Sequence, residues 1–285
     1  MTTTSVNPFL AGMRRAASQG LVPTSMSSRE IGLRLSGEVR RAARFSARVE
    51  NARVLQTISD TVGAIVGGVT EASQARRDAG DGPLLLSMAD AKAELLRVLD
   101  ETGYQPADGE AGTIKDLRSD RRRDLILETN EALIENHGRW VAAQDPIVLD
   151  AFPAWELVRI SPAEEPRNWL TRWMMAGGQI FRGRMIALKG ASVWDALGDT
   201  RLFDDALGNP YPPFAWNSGM DLRDIDRQEA EELGVIPKGA AAPRPDIRAL
   251  TEAMQVAGER FDGAIRAALE ADPDLYFDGD VLRSR

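Results

Sequence analysis

Few side chains in this sequence could do chemistry. The 285 residues contain one histidine, His137, and no cysteine. That excludes thiolate nucleophiles, disulfides and thiolate metal sites. A zinc site built on several imidazoles cannot form within one chain, and a Ser-His-Asp arrangement has only His137 to use. A lone histidine is ordinarily a surface or half-buried polar residue. An enzyme built from these residues would need Glu128, Glu156 and His137 to converge in a cleft. Asp221, Asp224 and Asp226 are spaced like a carboxylate loop for a hard cation, but the glycine and distal glutamate of a calcium loop are missing. Helix caps and surface charges are the expected roles of the acidic run 221–232. The phosphate-binding patterns GxxxxGK and GxGxxG are absent, as is the GxSxG elbow. The expectation is a protein that is not an enzyme, with no catalytic residue, no cofactor and no metal.

Charge narrows the partners. The formal net charge is −8, so the molecule as a whole is not a polyanion binder, and contact with nucleic acid would need a local patch. The candidate patch is Arg40, Arg41, Arg44, Arg48 and Arg53, on one face of a predicted helix. Two readings fit it. One is a solvated face paired with Glu38 and Glu50, the ordinary fate of such a pattern. The other is contact with nucleic acid or an acidic protein surface. There are only four lysines (Lys92, Lys115, Lys189 and Lys238), which fits a GC-rich coding genome. No apolar run is long enough to cross a bilayer, and the first twenty residues lack the basic and apolar regions of a secretory signal.

The elements that must position these residues are mostly helices. Residues 1–27 are small and polar and read as a flexible arm. SMSSRE offers a helix start, with Ser27 or Ser28 as cap and Glu30 in the first turn. From 29 to about 69 the spacing of Ile31, Leu35 and Val39, then Val54, Ile58, Val62, Ile65 and Val69, predicts one long helix or two in series. Residues 72–83 are a linker by composition. SMADAKAELLRVLDETG predicts a helix capped by Ser87, stopped by Gly103, with Ala89, Ala93, Leu96 and Leu99 near one face. A further helix spans 121–140. AWELVRIS and RGRMIAL read as short strands around the aromatic helix of NWLTRWMMAGG. An acidic helix covers 227–233, PKGAAAPRP is a linker, and Ile247, Leu250, Met254, Phe261, Ile265 and Leu269 line a last helix over 246–271. All six tryptophans lie between 140 and 216, which suggests a compact core there or a binding face, the core being the ordinary outcome. The fold class is α+β and helix-rich, with long N-terminal helices, a small mixed core with a few short strands, and a C-terminal helix. The segments are an arm (1–27), a helical N-terminal region (28–80), a core domain (81–236), and a linker with a C-terminal amphipathic helix (237–285).

Three pieces of the sequence together resemble the Mu F-like family of phage head morphogenesis proteins, the minor head proteins. The helix RRRDLILETNEALIENHGRW matches the family's pattern at Arg123, Ile126, Thr129 and Asn136, while Asn130 stands where an acid is usual. AWELVRIS resembles the strand that follows it. NPYPPFAWNSGMDLRDIDRQEAEELG resembles the terminal motif: Pro212, Pro213, Trp216 and Asn217 fit, and Ser218, Gly219 and Met220 replace its Cys-Arg-Cys. No metal is therefore carried over from the family. The resemblance covers residues 115–236, and FSARVENARVLQ (45–56) resembles prophage structural proteins. What it implies is a low-copy virion protein of the phage head or portal vertex, assembled in the cytoplasm of a bacterial host. Such a protein acts in capsid assembly, DNA packaging or ejection. The implied partners are the portal protein, the major capsid protein or both, with packaged double-stranded DNA as a further candidate for the arginine face. No membrane partner is expected, and the protein would be oligomeric in the particle. The alternatives are a head–tail connector or neck component and, behind it, a virion-carried hydrolase or transferase.

Overall fold

A computed structural model of the chain describes residues 8–17, 19–36, 39–40, 43–66, 86–162, 167–243 and 264–285. The fold is α+β, with helices around a small antiparallel sheet.

The longest described helix sets the frame. It spans Asp120–Ala142 and starts where the Ser119 side chain accepts from the Arg122 N–H. At about 1.5 Å per residue it is roughly 35 Å long. It sends Ile126, Leu127 and Ile134 into one apolar cluster and Trp140, nearer its C-terminal end, into another. The first cluster is built by the helices Pro8–Ala17 (α1), Ala52–Ile65 and Met88–Glu101. In chain order these are α1, α3 and α4, with α2 at Ser28–Arg34 and the long helix as α5. The cap predicted at Ser87 forms, as a capping box with Asp90, and Gly103 ends α4 at φ 68°. The buried face of α4 is Ala91, Leu95, Val98 and Leu99, whereas Ala89 and Ala93 are exposed. The predicted face was offset because the larger aliphatic residues, not the alanines, choose the side that turns inward.

The N-terminal segment departs from its reading as an arm. α1 packs along α5 and buries Met13 and Ala16. Its approach uses glycine on both sides: a β-carbon at Gly12 would lie 3.0 Å from Gly138 Cα, and one at Gly138 would meet Met13 Cγ at 2.6 Å. The polar start of the sequence hid the apolar stripe of a short helix.

Of the two arrangements predicted over 29–69, one long helix or two in series, the structure has helices in series, with a strand between them. α2 has the capping box of Ser27 and Glu30 and ends at Leu35, whose backbone is extended. The strand Ala43–Arg44 (β2) then pairs in parallel with Gly20–Leu21 (β1). α3 begins afresh at Asn51, whose side chain accepts from the N–H groups of Arg53 and Val54. Apolar spacing ran on through a segment whose caps and strand pairing divide it. Val54, Ile58 and Val62 are buried as their spacing required, and Val69 and the linker 72–83 lie outside the described residues. The first apolar cluster thus joins α3 to α4 and α5, across position 80.

The sheet has the order β4-β5-β3-β6, with β3 at Ala154–Arg159, β4 at Ile180–Phe181, β5 at Arg184–Leu188 and β6 at Met220–Ile225. Every pairing in it is antiparallel. β6 lies along the whole of β3, placing Asp224 opposite Trp155 and Arg223 opposite Glu156. Helix α6 (Pro146–Ala151) precedes β3, α7 (Trp169–Met175) and α8 (Val193–Leu197) flank the hairpin β4–β5, and α9 (Arg227–Glu232) follows β6 from its cap Asp226. The second apolar cluster is tryptophan-rich: Trp194 meets Trp173 at 5.2 Å and Trp155 at 5.9 Å, both edge-on.

The predicted C-terminal helix is described only over Ala264–Glu270 (α10); Ile247, Leu250, Met254 and Phe261 lie outside the described residues. Two strands follow it, Leu275–Asp278 (β7) and Val281–Ser284 (β8), which form a hairpin turning at Gly279 and Asp280. Leu269, Leu275 and Leu282 pack with Val22, Met26 and Leu35 in a third apolar cluster.

Candidate binding site at the junction of the two cores

The middle of α5 is where the two main cores meet, and the proline turn closes over it. Leu207 N–H donates to Phe214 O at 3.0 Å, and the buried Asn209 side chain donates to Tyr211 O at 2.8 Å and Pro213 O at 3.1 Å. Pro212 and Pro213 are buried and joined by a cis peptide bond. Phe214 is fully buried and stacks 6.3 Å from Trp194, while the Tyr211 ring lies 5.4 Å from His137. Trp216 does not join the tryptophan-rich core; it is half-buried and faces a cavity instead. Its place is set by main chain: Arg167 donates to Trp216 O at 2.8 Å and to Asn217 O at 3.2 Å. Asn217 takes φ 49°, a conformation asparagine tolerates.

Asp205 organises the loop beside the turn. It binds Arg167, and Arg172 at 2.6 Å. Burial pushes its carboxyl up, but the hydrogen bond and charge of Arg172, together with Arg167, bring it below the ordinary range. Arg172 is itself buried, reaches Leu197 O at 2.9 Å and lies 4.0 Å over the Phe203 ring. The partners of Asp205 lie 33 and 38 residues away and have no local signature.

Two cavities flank α5. The first, about 100 Å³, is lined by Arg40, Arg44, Asn130, Asn209, Tyr211 and Trp216 among others. It gathers α5, the turn and the segment around β2. The second, about 230 Å³, lies between α5 and the sheet and is lined by Phe9, Asn136, Arg139, Trp155, Lys189 and Asp224 among others. Lys189 is buried there, with Nζ 2.7 Å from Asp224 Oδ1 and 5.1 Å from the Trp155 ring centre. Burial lowers its pKa, and Asp224 opposes that shift. Trp155 Nε1 donates to the same Asp224 oxygen at 3.0 Å. Lys189 went unnoticed in the sequence because its burial comes from strand pairing and not from local pattern.

The arginines proposed as one face are dispersed. Arg40 is half-buried and donates to Ala206 O at 3.1 Å and Thr200 Oγ1 at 3.2 Å. Arg41 lies outside the described residues. Arg44 is buried on β2. Arg48 sits in a turn at φ 60° and pairs with Glu110 at 2.9 Å, and Arg53 on α3 pairs with Glu101. No common helix carries them, so no single cationic stripe forms from the four described. The expected pairing with Glu38 lies outside the described residues, and Glu50 pairs with Arg283 instead.

The acids that an enzyme would have needed occupy separate surroundings. Glu156 is buried between Arg184, at 2.8 and 2.9 Å, and Arg223; burial raises its pKa, and both arginines bring it below the ordinary value. Glu128 is exposed on α5, and His137 is buried against Trp140 and Tyr211. Among the described residues no three His, Asp or Glu side chains are grouped to hold a metal ion. Asp226 caps α9, Asp221 pairs with Arg139 and Asp224 with Lys189. Of the residues carrying the family resemblance, Arg123, Ile126 and Thr129 are buried on α5, Asn136 lines the second cavity, and Pro212, Pro213, Trp216 and Asn217 shape the turn. No helix among the described residues is long and apolar enough to cross a membrane.

The site and fold define an α+β protein whose longest described helix joins two cores, with two cavities beside it. Comparison with protein-family models, curated proteins and solved structures finds no match to this chain.

Proposed function

We propose that the chain is a structural virion protein of a tailed phage, a minor head protein at the portal vertex that acts in capsid assembly, DNA packaging or ejection. The observation that carries this reading is the convergence of the three sequence pieces behind the resemblance. α5, β3 and the segment from the proline turn through β6 to α9 form one unit: Tyr211 of the turn packs on His137 of α5, and β6 pairs with β3 along its length. A protein partner is further supported by exposed apolar side chains on α7, where Leu170, Met174 and Met175 are 50, 62 and 64% exposed. The portal protein, the major capsid protein or both are the partners this reading assigns, with the protein oligomeric in the particle. The dispersal of Arg40, Arg44, Arg48 and Arg53 lends no support to DNA contact by that set.

The test is the composition of purified particles made from the genome that encodes this chain. Mass spectrometry is expected to find the polypeptide at low copy, and a particle map is expected to place it at one vertex. Absence of the polypeptide from intact particles overturns the reading.

A further inference from the structure

Among the described residues, Arg44 is the exception among the buried cations. Lys189, Arg172 and Arg123 are each buried with a carboxylate: Asp224, Asp205 and Asp120. Arg44 is 6% exposed, and its guanidinium donates to Ser59 Oγ at 3.1 Å and Ala16 O at 3.0 Å. Both acceptors are neutral, and no ion pair forms between Arg44 and a carboxylate among the described residues. Burial alone acts on it, lowering its pKa to about 10. A buried charge held only by neutral groups is costly, and an anion beside it offsets that cost.

The space for such an anion is present. Arg44 lines the cavity of about 100 Å³ at the junction of the two cores. Arg40 lines it as a second cation, Asn130 contributes an amide that donates once to Ile126 O, and Tyr211 and Trp216 contribute aromatic wall. Pockets for drug-sized ligands run to about 300–1,000 Å³, so this cavity suits a single small group. The phosphates of a DNA duplex have no such access, since Arg44 faces inward.

We propose that this cavity binds one oxyanion group, of phosphate or carboxylate size, with Arg44 as its charge partner and Arg40 and Asn130 as its polar wall. Guanidinium presents paired N–H donors that match either anion. The proposal does not depend on where the protein sits in a particle.

The experiment uses the full chain, with calorimetric titration and thermal unfolding in inorganic phosphate or acetate. Chloride at equal ionic strength is the reference. One of the two anions is expected to bind and to raise Tm by about 3 °C for each tenfold increase above its Kd. Which anion acts identifies the source as phosphate or carboxylate. Arg44→Met is expected to weaken binding by about tenfold or more, the loss of charge-assisted hydrogen bonds. Asn130→Asp, which keeps the side-chain shape and puts a carboxylate in the cavity, is expected to weaken binding as much. It serves if Arg44→Met does not fold. The proposal is overturned if neither anion exceeds the chloride reference, or if binding is undiminished in the variants that fold.

Discussion

Arg44 and Lys189 line different cavities beside α5, each buried and each held differently. Lys189 has a counter-charge in Asp224 and an aromatic face in Trp155. Arg44 has a hydroxyl and a carbonyl. The lysine site is electrically closed, and the arginine site is open to a ligand. Burial of a cation is therefore not one kind of feature: what matters is whether the fold itself supplies the opposite charge.

The sharpest way to break this comparison is to remove the counter-charge from the lysine. Asp224→Ala is expected to cost about 2 kcal/mol, read from urea unfolding midpoints at constant slope, because Lys189 is left buried and unpaired while solvent screens the half-exposed Asp224. Lys189→Met in the same background is expected to recover most of that loss, since the stranded charge goes with it. If the double variant is no more stable than Asp224→Ala alone, the pair is not coupled and the contrast fails. Arg44→Met is expected to change stability by only about 1 kcal/mol in either direction. It gives up two hydrogen bonds to neutral acceptors but removes a desolvated charge. A loss as large as that of Asp224→Ala would mean that a counter-charge is present after all. The smallest effect is the pH dependence of Lys189, where burial and Asp224 oppose each other. Its folded pKa lies below the ordinary 10.5, so the folded state sheds the proton first as pH rises. The unfolded chain then holds more protons, and stability rises with pH from the lowered pKa up to 10.5. The difference between wild type and Lys189→Met, followed by urea unfolding across that range, should show this rise; a flat difference contradicts it.

What the sequence made legible follows from how local each cause is. The helix starts at Ser27, Ser87 and within Asp120–Ala142, and the strands at AWELVRIS and RGRMIAL, rest on neighbours a few residues apart, and they form as expected. The burial of five of the six tryptophans follows their clustering, with Trp216 the exception. The arginine face was misread because helical spacing was extended over 29–69, while Asn51 supplies a new cap and β2 a strand partner in between. The hairpin β7–β8 was passed over although Asp-Gly-Asp between two strand-like runs is a turn signal, because the apolar helix before it dominated the reading. The cavities were not legible at all. Arg44 shares a cavity with Asn209 and Trp216, and Lys189 meets Asp224, only through long-range packing, and nothing in the spacing of these residues announces it.

The close seating of α1 on α5 has a reach beyond those two helices. Phe9, near one end of α1, lines the second cavity, and Ala16, near the other, lines the first. Between them sits Gly12, facing Gly138. The helix works as a shim whose thickness the two missing side chains set. One methyl group added at Gly138 would press on Met13 Cγ at 2.6 Å and on the Phe9 carbonyl at 2.8 Å, tilting the shim and altering both chambers together. Two sites that share no residue are in this way tuned by the same helix, and drift at either glycine would be felt in both.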